Sequence, residues 1–121
     1  REESAVTISE RSVGDVTVLD LQGRLTLGDG AEELREAVNG LLSRSRNRIV
    51  LQLGGVPFVD SAGLGEIVRT YTTVSRQGGH LKLLNLTKRI TDLLSITKLL
   101  TVFETYDAEA DGLRSFTSYS A

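Results

Sequence analysis

Ile49-Val50-Leu51-Gln52-Leu53-Gly54-Gly55, followed after Val56-Pro57-Phe58 by Val59-Asp60-Ser61-Ala62-Gly63-Leu64-Gly65, is the stretch on which the reading of this chain turns. Its first part is a short, almost continuously apolar run that two glycines stop, as expected for a central strand covered on both faces. Beyond its second part, Leu64, Ile67, Val68, Tyr71 and Val74 recur at the spacing of an amphipathic helix, which Gly78 and Gly79 stop. A covered strand leading straight into a helix points to an α/β fold with a parallel sheet.

Upstream, Val6 and Ile8, then Val16, Val18, Leu19 and Leu21, flank Arg11-Ser12-Val13-Gly14-Asp15 and read as an opening hairpin. Gly23 to Gly30 breaks that pattern. Asp29, with Glu32 three residues on, resembles an acidic capping box, and Leu34, Ala37, Val38, Leu41 and Leu42 carry one helical stripe to about Ser43. Downstream, His80 to Leu86 reads as a strand, and Thr87 as the cap of a helix bearing Ile90, Leu93 and Leu94. Val102 and Phe103 read as a short final strand, and Asp107 as the start of a last helix with Leu113 and Phe116. The expected order is β-β-α-β-α-β-α-β-α: a mostly parallel sheet with an N-terminal antiparallel edge strand, flanked by about four helices with right-handed crossovers. The polar stretch Ser115 to Ala121 is expected to fray after Phe116.

The 121 residues match the size of one domain, so residues 1–121 are read as a single unit. Hydrophobic residues at 40% and charged residues at 25% suit a globular chain and argue against disorder. With 14 Lys and Arg against 16 Asp and Glu, the net charge of -2 lacks the phosphate attraction of a nucleic-acid binder. The local basic clusters are Arg44, Arg46 and Arg48, read as a solvated helix end that complements the helix dipole, and the pair Lys88 and Arg89. Without cysteine, and with His80 as the one histidine, disulfides, thiolate metal sites and histidine zinc sites are excluded, so no metal and no cofactor is expected. No apolar run approaches the ~20 residues of a membrane span, and no signal-peptide pattern opens the chain, so direct membrane insertion is not expected and a cytoplasmic location is. Met is absent even at position 1, which leaves open a trimmed or excised domain.

Chemistry, if any, belongs to residues 59–65, which place a serine hydroxyl at a strand-to-helix turn on the carboxyl edge of the sheet, where ligands of parallel sheets bind. The plain alternative is that Asp60 or Ser61 only caps the helix while the glycines relieve backbone strain. Enzyme readings fail in turn. A nucleophile elbow needs a glycine where Val59 stands, and only Glu66 offers an acid between Ser61 and His80. A dinucleotide fingerprint starting at Gly63-Leu64-Gly65 meets Val68 where a third Gly or Ala belongs, and no phosphate loop occurs. A phosphorylated-aspartate receiver would place Asp60 well but needs an acidic pair after the first strand and a β-α start. No catalytic residue is assigned.

Leu21-Gln22-Gly23-Arg24-Leu25, Leu34-Arg35, Val50 to Leu53, Val59 to Gly65 and Leu83 to Leu86 together resemble STAS domains, named for sulfate transporters and anti-sigma factor antagonists, and within them the small bacterial anti-sigma factor antagonists. The likeness covers nearly the whole chain, and Asp60-Ser61-Ala62-Gly63-Leu64 is its most specific part. It implies a regulatory binding module of bacterial transcription, switched by phosphorylation of Ser61. The implied partners are an anti-sigma factor that is also a serine kinase, and a metal-dependent serine phosphatase that acts on the phosphorylated form. The unmodified protein would bind the kinase and free the sigma factor; the phosphorylated one would let go. An alternative within the family is a docking module of an anion transporter or lipid-export complex, without a phosphate cycle.

The residues around Ser61 suit such a switch. A phosphate adds roughly 1.5 to 2 negative charges. Amides and dipole at the helix start would favour it by roughly 0.3 to 1 kcal/mol while Asp60 opposes it, so the fold is expected to survive. A desolvated dianion without a matching cation would cost a docked partner several kcal/mol. Asp60 is expected to cap the helix, to engage the kinase, or both. Gly63 and Gly65 either let a partner's backbone approach or let the helix pack closely on the sheet. Together with Ala62 and Leu64 they form the expected partner surface, with the loop Gly23-Arg24-Leu25-Thr26-Leu27 as its second part. That loop departs from the family's common Gly-Glu-Leu-Asp, placing Arg24 for Glu and Thr26 for Asp, which alters electrostatic partner choice.

Overall fold

Gly14, at a φ of 62°, turns the chain so that β1 (Val6–Val13) folds back on β2 (Val16–Gly23) with Val13 opposite Val16. The structure, a computed structural model, describes residues 6–28 and 30–117. From β2 onward every strand joins its neighbour in parallel: β3 (Arg48–Gly55), β4 (His80–Leu84) and β5 (Thr105–Tyr106). Among the described residues the sheet has five strands in the order β1-β2-β3-β4-β5, so the antiparallel strand lies at an edge as expected.

Strand alternation then divides the core. Leu19, Leu21, Ile49, Leu51, Leu53, Leu81 and Leu83 form one cluster with residues of α1 (Ala31–Ser43), α2 (Ser61–Arg76) and α3 (Lys88–Ile96), namely Leu34, Val38, Leu41, Ile67, Val74, Ile90 and Leu94. Val16, Val18, Val50 and Leu84 point the other way, onto Phe116 of α4 (Glu109–Thr117). The middle strand β3 is therefore covered on both faces, the arrangement its apolar run demands.

Several expectations need correction. Helix α1 is entered through Gly30 in the left-handed region, φ 93°, without a side-chain cap. A Cβ at Gly30 would stand 2.8 Å from the Arg24 carbonyl oxygen, so the close approach of two backbones explains the glycine. Asp29, the expected capping residue, lies outside the described residues. The last strand is Thr105–Tyr106, with the amides of Leu83 and Asn85 bonded to the carbonyls of Glu104 and Tyr106. Val102 and Phe103 belong to the preceding turn. Phe103 is apolar because its ring packs edge-on against Tyr71 of α2, centroids 4.9 Å apart. Strand β4 ends at Leu84 rather than Leu86, since Asn85 has a φ of 59°. Helix α4 starts at Glu109, two residues past Asp107, and runs through Thr117; residues 118–121 of the expected frayed tail lie outside the described residues.

Arg44 does complement the end of α1, its Nε donating to the Gly40 carbonyl at 3.3 Å, but the three arginines are also paired beyond that helix. Arg44 reaches Glu10 at 3.2 Å, Arg46 donates to Thr17 Oγ1 at 3.0 Å and to Ser12 Oγ at 3.2 Å, and Arg48 reaches Asp15 at 3.1 Å. These three side chains tie the segment between α1 and β3 to the opening hairpin.

Candidate functional site

Val59 and Leu25 form an isolated parallel bridge beyond the ends of β3 and β2, and this pairing builds the site. The Leu25 amide donates to the Phe58 carbonyl at 3.0 Å, and the Asp60 amide to the Leu25 carbonyl at 3.4 Å. Two loops are thus held side by side on the carboxyl edge of the sheet, as the connectivity predicted.

Asp60, in an extended conformation, is the N-cap of α2. Its Oδ1 accepts from the Gly63 amide at 2.8 Å and its Oδ2 from the Leu27 amide at 3.2 Å. One carboxylate therefore caps the helix and pins the neighbouring loop. The Gly63 amide, followed by that of Leu27, holds the Asp60 carboxyl below the usual range of 3.8. Ser61 comes next, as the first residue of α2, and is exposed. Ala62 is half-buried and Gly65 exposed.

The two glycines have different roles. A Cβ on Gly63 would fall 1.9 Å from the Leu25 carbonyl oxygen, whereas one on Gly65 would meet open space. Gly63 is thus a packing residue, where helix backbone meets loop backbone. Leu25 is 0% exposed, and Thr26, Gly63 and Leu64 are buried as well. These four residues, expected on the partner surface, have little accessible area of their own and hold the surrounding surface in place. Asp60, Ala62, Gly65, Gly23 and Arg24 keep accessible surface.

Beside Leu27, from the loop already expected as a contact, the accessible site includes Phe58, which pattern reading missed. Leu27 is 79% exposed and Phe58 41% exposed, two apolar side chains from the two loops that flank Ser61. Arg89 of α3 lies over the Phe58 ring, 4.8 Å from its centroid. Behind the site, Glu66 of α2 is 3% exposed and accepts from Arg35 of α1 at 3.1 Å, which links the helix that begins at Ser61 to its neighbour. Among the described residues no cluster of His, Cys, Asp or Glu is arranged to hold a metal ion, and no helix is long and apolar enough to cross a membrane.

The chain that carries this site is similar to known proteins over most of its length. A family model described as the STAS domain matches residues 7–112. This chain belongs to the STAS domain family. Within it, the anti-sigma-B factor antagonist of Bacillus subtilis is 39% identical over 83 residues, 68% of this chain and 73% of the relative. The crystal structure of an anti-sigma factor antagonist from Mycobacterium paratuberculosis has the same STAS fold, with a TM-score of 0.80 at 21% identity over 94% of this chain and 96% of that one. So has the Bacillus cell fate determinant SpoIIAA in its phosphorylated form, with a TM-score of 0.73 at 17% identity over 91% and 99% of the two chains.

Proposed function

We propose that this STAS domain is an anti-sigma factor antagonist whose binding to an anti-sigma factor serine kinase is switched by phosphorylation of Ser61. The reading is carried by one observation: Ser61 is exposed on the first turn of α2, between Leu27 and Phe58, while the backbone beneath it is fixed by Asp60 and Gly63.

Leu27 and Phe58 supply apolar anchors for the partner, and the hydroxyl lies within the surface that docking covers. The kinase transfers the γ-phosphoryl group of ATP to Ser61 Oγ: the new P–O bond forms as the bond to the β-phosphate oxygen breaks, ADP leaves, and the hydroxyl proton passes to a base of the kinase. The product brings about two negative charges into an interface that excludes water, and the complex dissociates. A metal-dependent serine phosphatase restores the hydroxyl by hydrolysis and releases inorganic phosphate. The domain itself supplies surface and acceptor, not catalysis, and acts in the bacterial cytoplasm. Because the B. subtilis relative carries the antagonist name, docking in a transporter or lipid-export complex is the weaker reading.

The test pairs the domain with an anti-sigma kinase encoded beside it and ATP. One phosphate at Ser61 by mass spectrometry is expected, with Ser61→Ala bound and unreleased. Phosphate elsewhere, no phosphate, or unchanged affinity after modification would reject the switch.

A further inference from the structure

The turn that presents Ser61 has different neighbours on its two sides. Phe58 and Asp60 bond to Leu25 on one side, so the intervening Val59 carbonyl points to the other. There it meets Arg89, whose Nη2 lies 3.5 Å away. That separation is long for a hydrogen bond, the arginine is exposed in the first turn of α3, and its second contact is the face of Phe58. The guanidinium is loosely held and able to swing.

A phosphate on Ser61 calls for a counter-charge, and the start of α2 meets that need only in part. The Gly63 amide is already engaged by Asp60 at 2.8 Å, and the Asp60 carboxylate is itself a like charge next in the chain. This modifies the sequence-based expectation that amides at the helix start would welcome the dianion. Among the described residues, cations on the flanking segments are Arg24, from the loop after β2, and Lys88 and Arg89, from α3. Lys88 is paired along its own helix with Asp92 at 3.0 Å. Arg89 touches the carbonyl two residues before Ser61, at most about 7 Å along extended chain. Its planar fork also suits a phosphate better than an ammonium does.

We propose that Arg89 is the in-chain cation that binds the phosphate on Ser61, leaving the Phe58 ring and the Val59 carbonyl to do so. This rests on the phosphorylation reading above and adds how the mark is read. Modification would then remove a cation and uncover an aromatic face on the docking surface, in addition to placing a dianion there.

The test uses the domain with phosphoserine inserted at position 61 during translation, so no kinase is needed. Phosphorus NMR titration follows the second ionisation of the phosphate, about 6 for an unperturbed phosphoserine. The wild-type background is expected to titrate lower by about one unit. Arg89→Gln should abolish that shift, Arg89→Lys should keep part of it, and Lys88→Gln should leave it unchanged. Identical titrations for Arg89→Gln and its parent, or an equal effect of Lys88→Gln, would overturn the proposal. Failure of a kinase to modify Ser61 would instead overturn the underlying reading and leave this titration standing.

Discussion

Gly63 packs on Leu25 so closely that a single added methyl group would lie 1.9 Å from the Leu25 carbonyl oxygen, a contact no side-chain movement can relieve because both partners are main chain. This approach is what keeps the first turn of α2 locked to the β2–α1 loop, and it accounts for the glycine without any appeal to a partner.

Gly63→Ala is accordingly expected to cost stability at the upper end of ~1–3 kcal/mol or more. Gly65→Ala, in open space within the same helix, should be neutral or stabilising by up to about 1 kcal/mol. Urea unfolding of both variants checks the contrast. Equal destabilisation would show that Gly65 also serves packing.

Leu27→Ala and Phe58→Ala address the docking surface. Each side chain is largely or partly in solvent, so the fold should lose no more than about 0.5 kcal/mol. Affinity for the anti-sigma partner should fall about tenfold or more per substitution, since exposed apolar anchors become buried on docking. Calorimetric titration showing wild-type affinity for both would place the interface elsewhere.

Asp60 makes a prediction in pH. Its carboxyl is held below the ordinary 3.8 by the Gly63 amide and then that of Leu27, so the folded state favours the ionised form. The stabilisation is complete above that ordinary value and is lost as the pH falls through the lower, folded value. The stability gap between wild type and Asp60→Asn should therefore be widest near neutrality and shrink below about pH 4. Denaturation midpoints that keep a constant gap down to pH 3 would show that hydrogen bonding to the charged carboxylate is not its source.

Arg11 joins elements far apart in sequence. It donates from β1 to Asp20 of β2 at 2.6 Å and to Glu109 of α4 at 2.8 Å, and the Glu109 carboxyl is held low chiefly by that bond. The site is at the surface, so Arg11→Ala should cost less than about 1 kcal/mol globally. Hydrogen exchange should nonetheless accelerate in α4, and added salt should narrow the difference. Unchanged exchange in α4 would mean that Phe116 and Leu113, with the Lys82–Ser115 bond, hold the helix without Arg11.

The sheet and its two longest helices were legible because Ile49 to Leu53 and the stripes of α1 and α2 are long enough for burial to leave a period. Asp60 as a cap and Ser61 as an exposed hydroxyl were legible for a different reason: residue type and position at a helix start determine them locally. What escaped was decided by distant contacts. Phe103 looked like strand because it is apolar, yet its partner is Tyr71, and the two-residue strand Thr105–Tyr106 is too short to carry a pattern. Glu66 and Lys82 break every rule of apolar interiors; Glu66 is held by Arg35, and Lys82 by Ser115, Glu104 and the face of Phe116. Arg89 joined the site through tertiary proximity to Phe58, some thirty residues away in the chain, and no local spacing announces that.

Strand order that simply repeats chain order has a consequence for biosynthesis. As the polypeptide leaves the ribosome, each new strand finds its docking edge already made, so the sheet can accrete outward from the hairpin without waiting for the carboxyl terminus. The loop bearing Ser61 and its brace are complete once the third strand has docked, while the two-residue fifth strand and α4 follow, as a closing layer on a sheet that already exists.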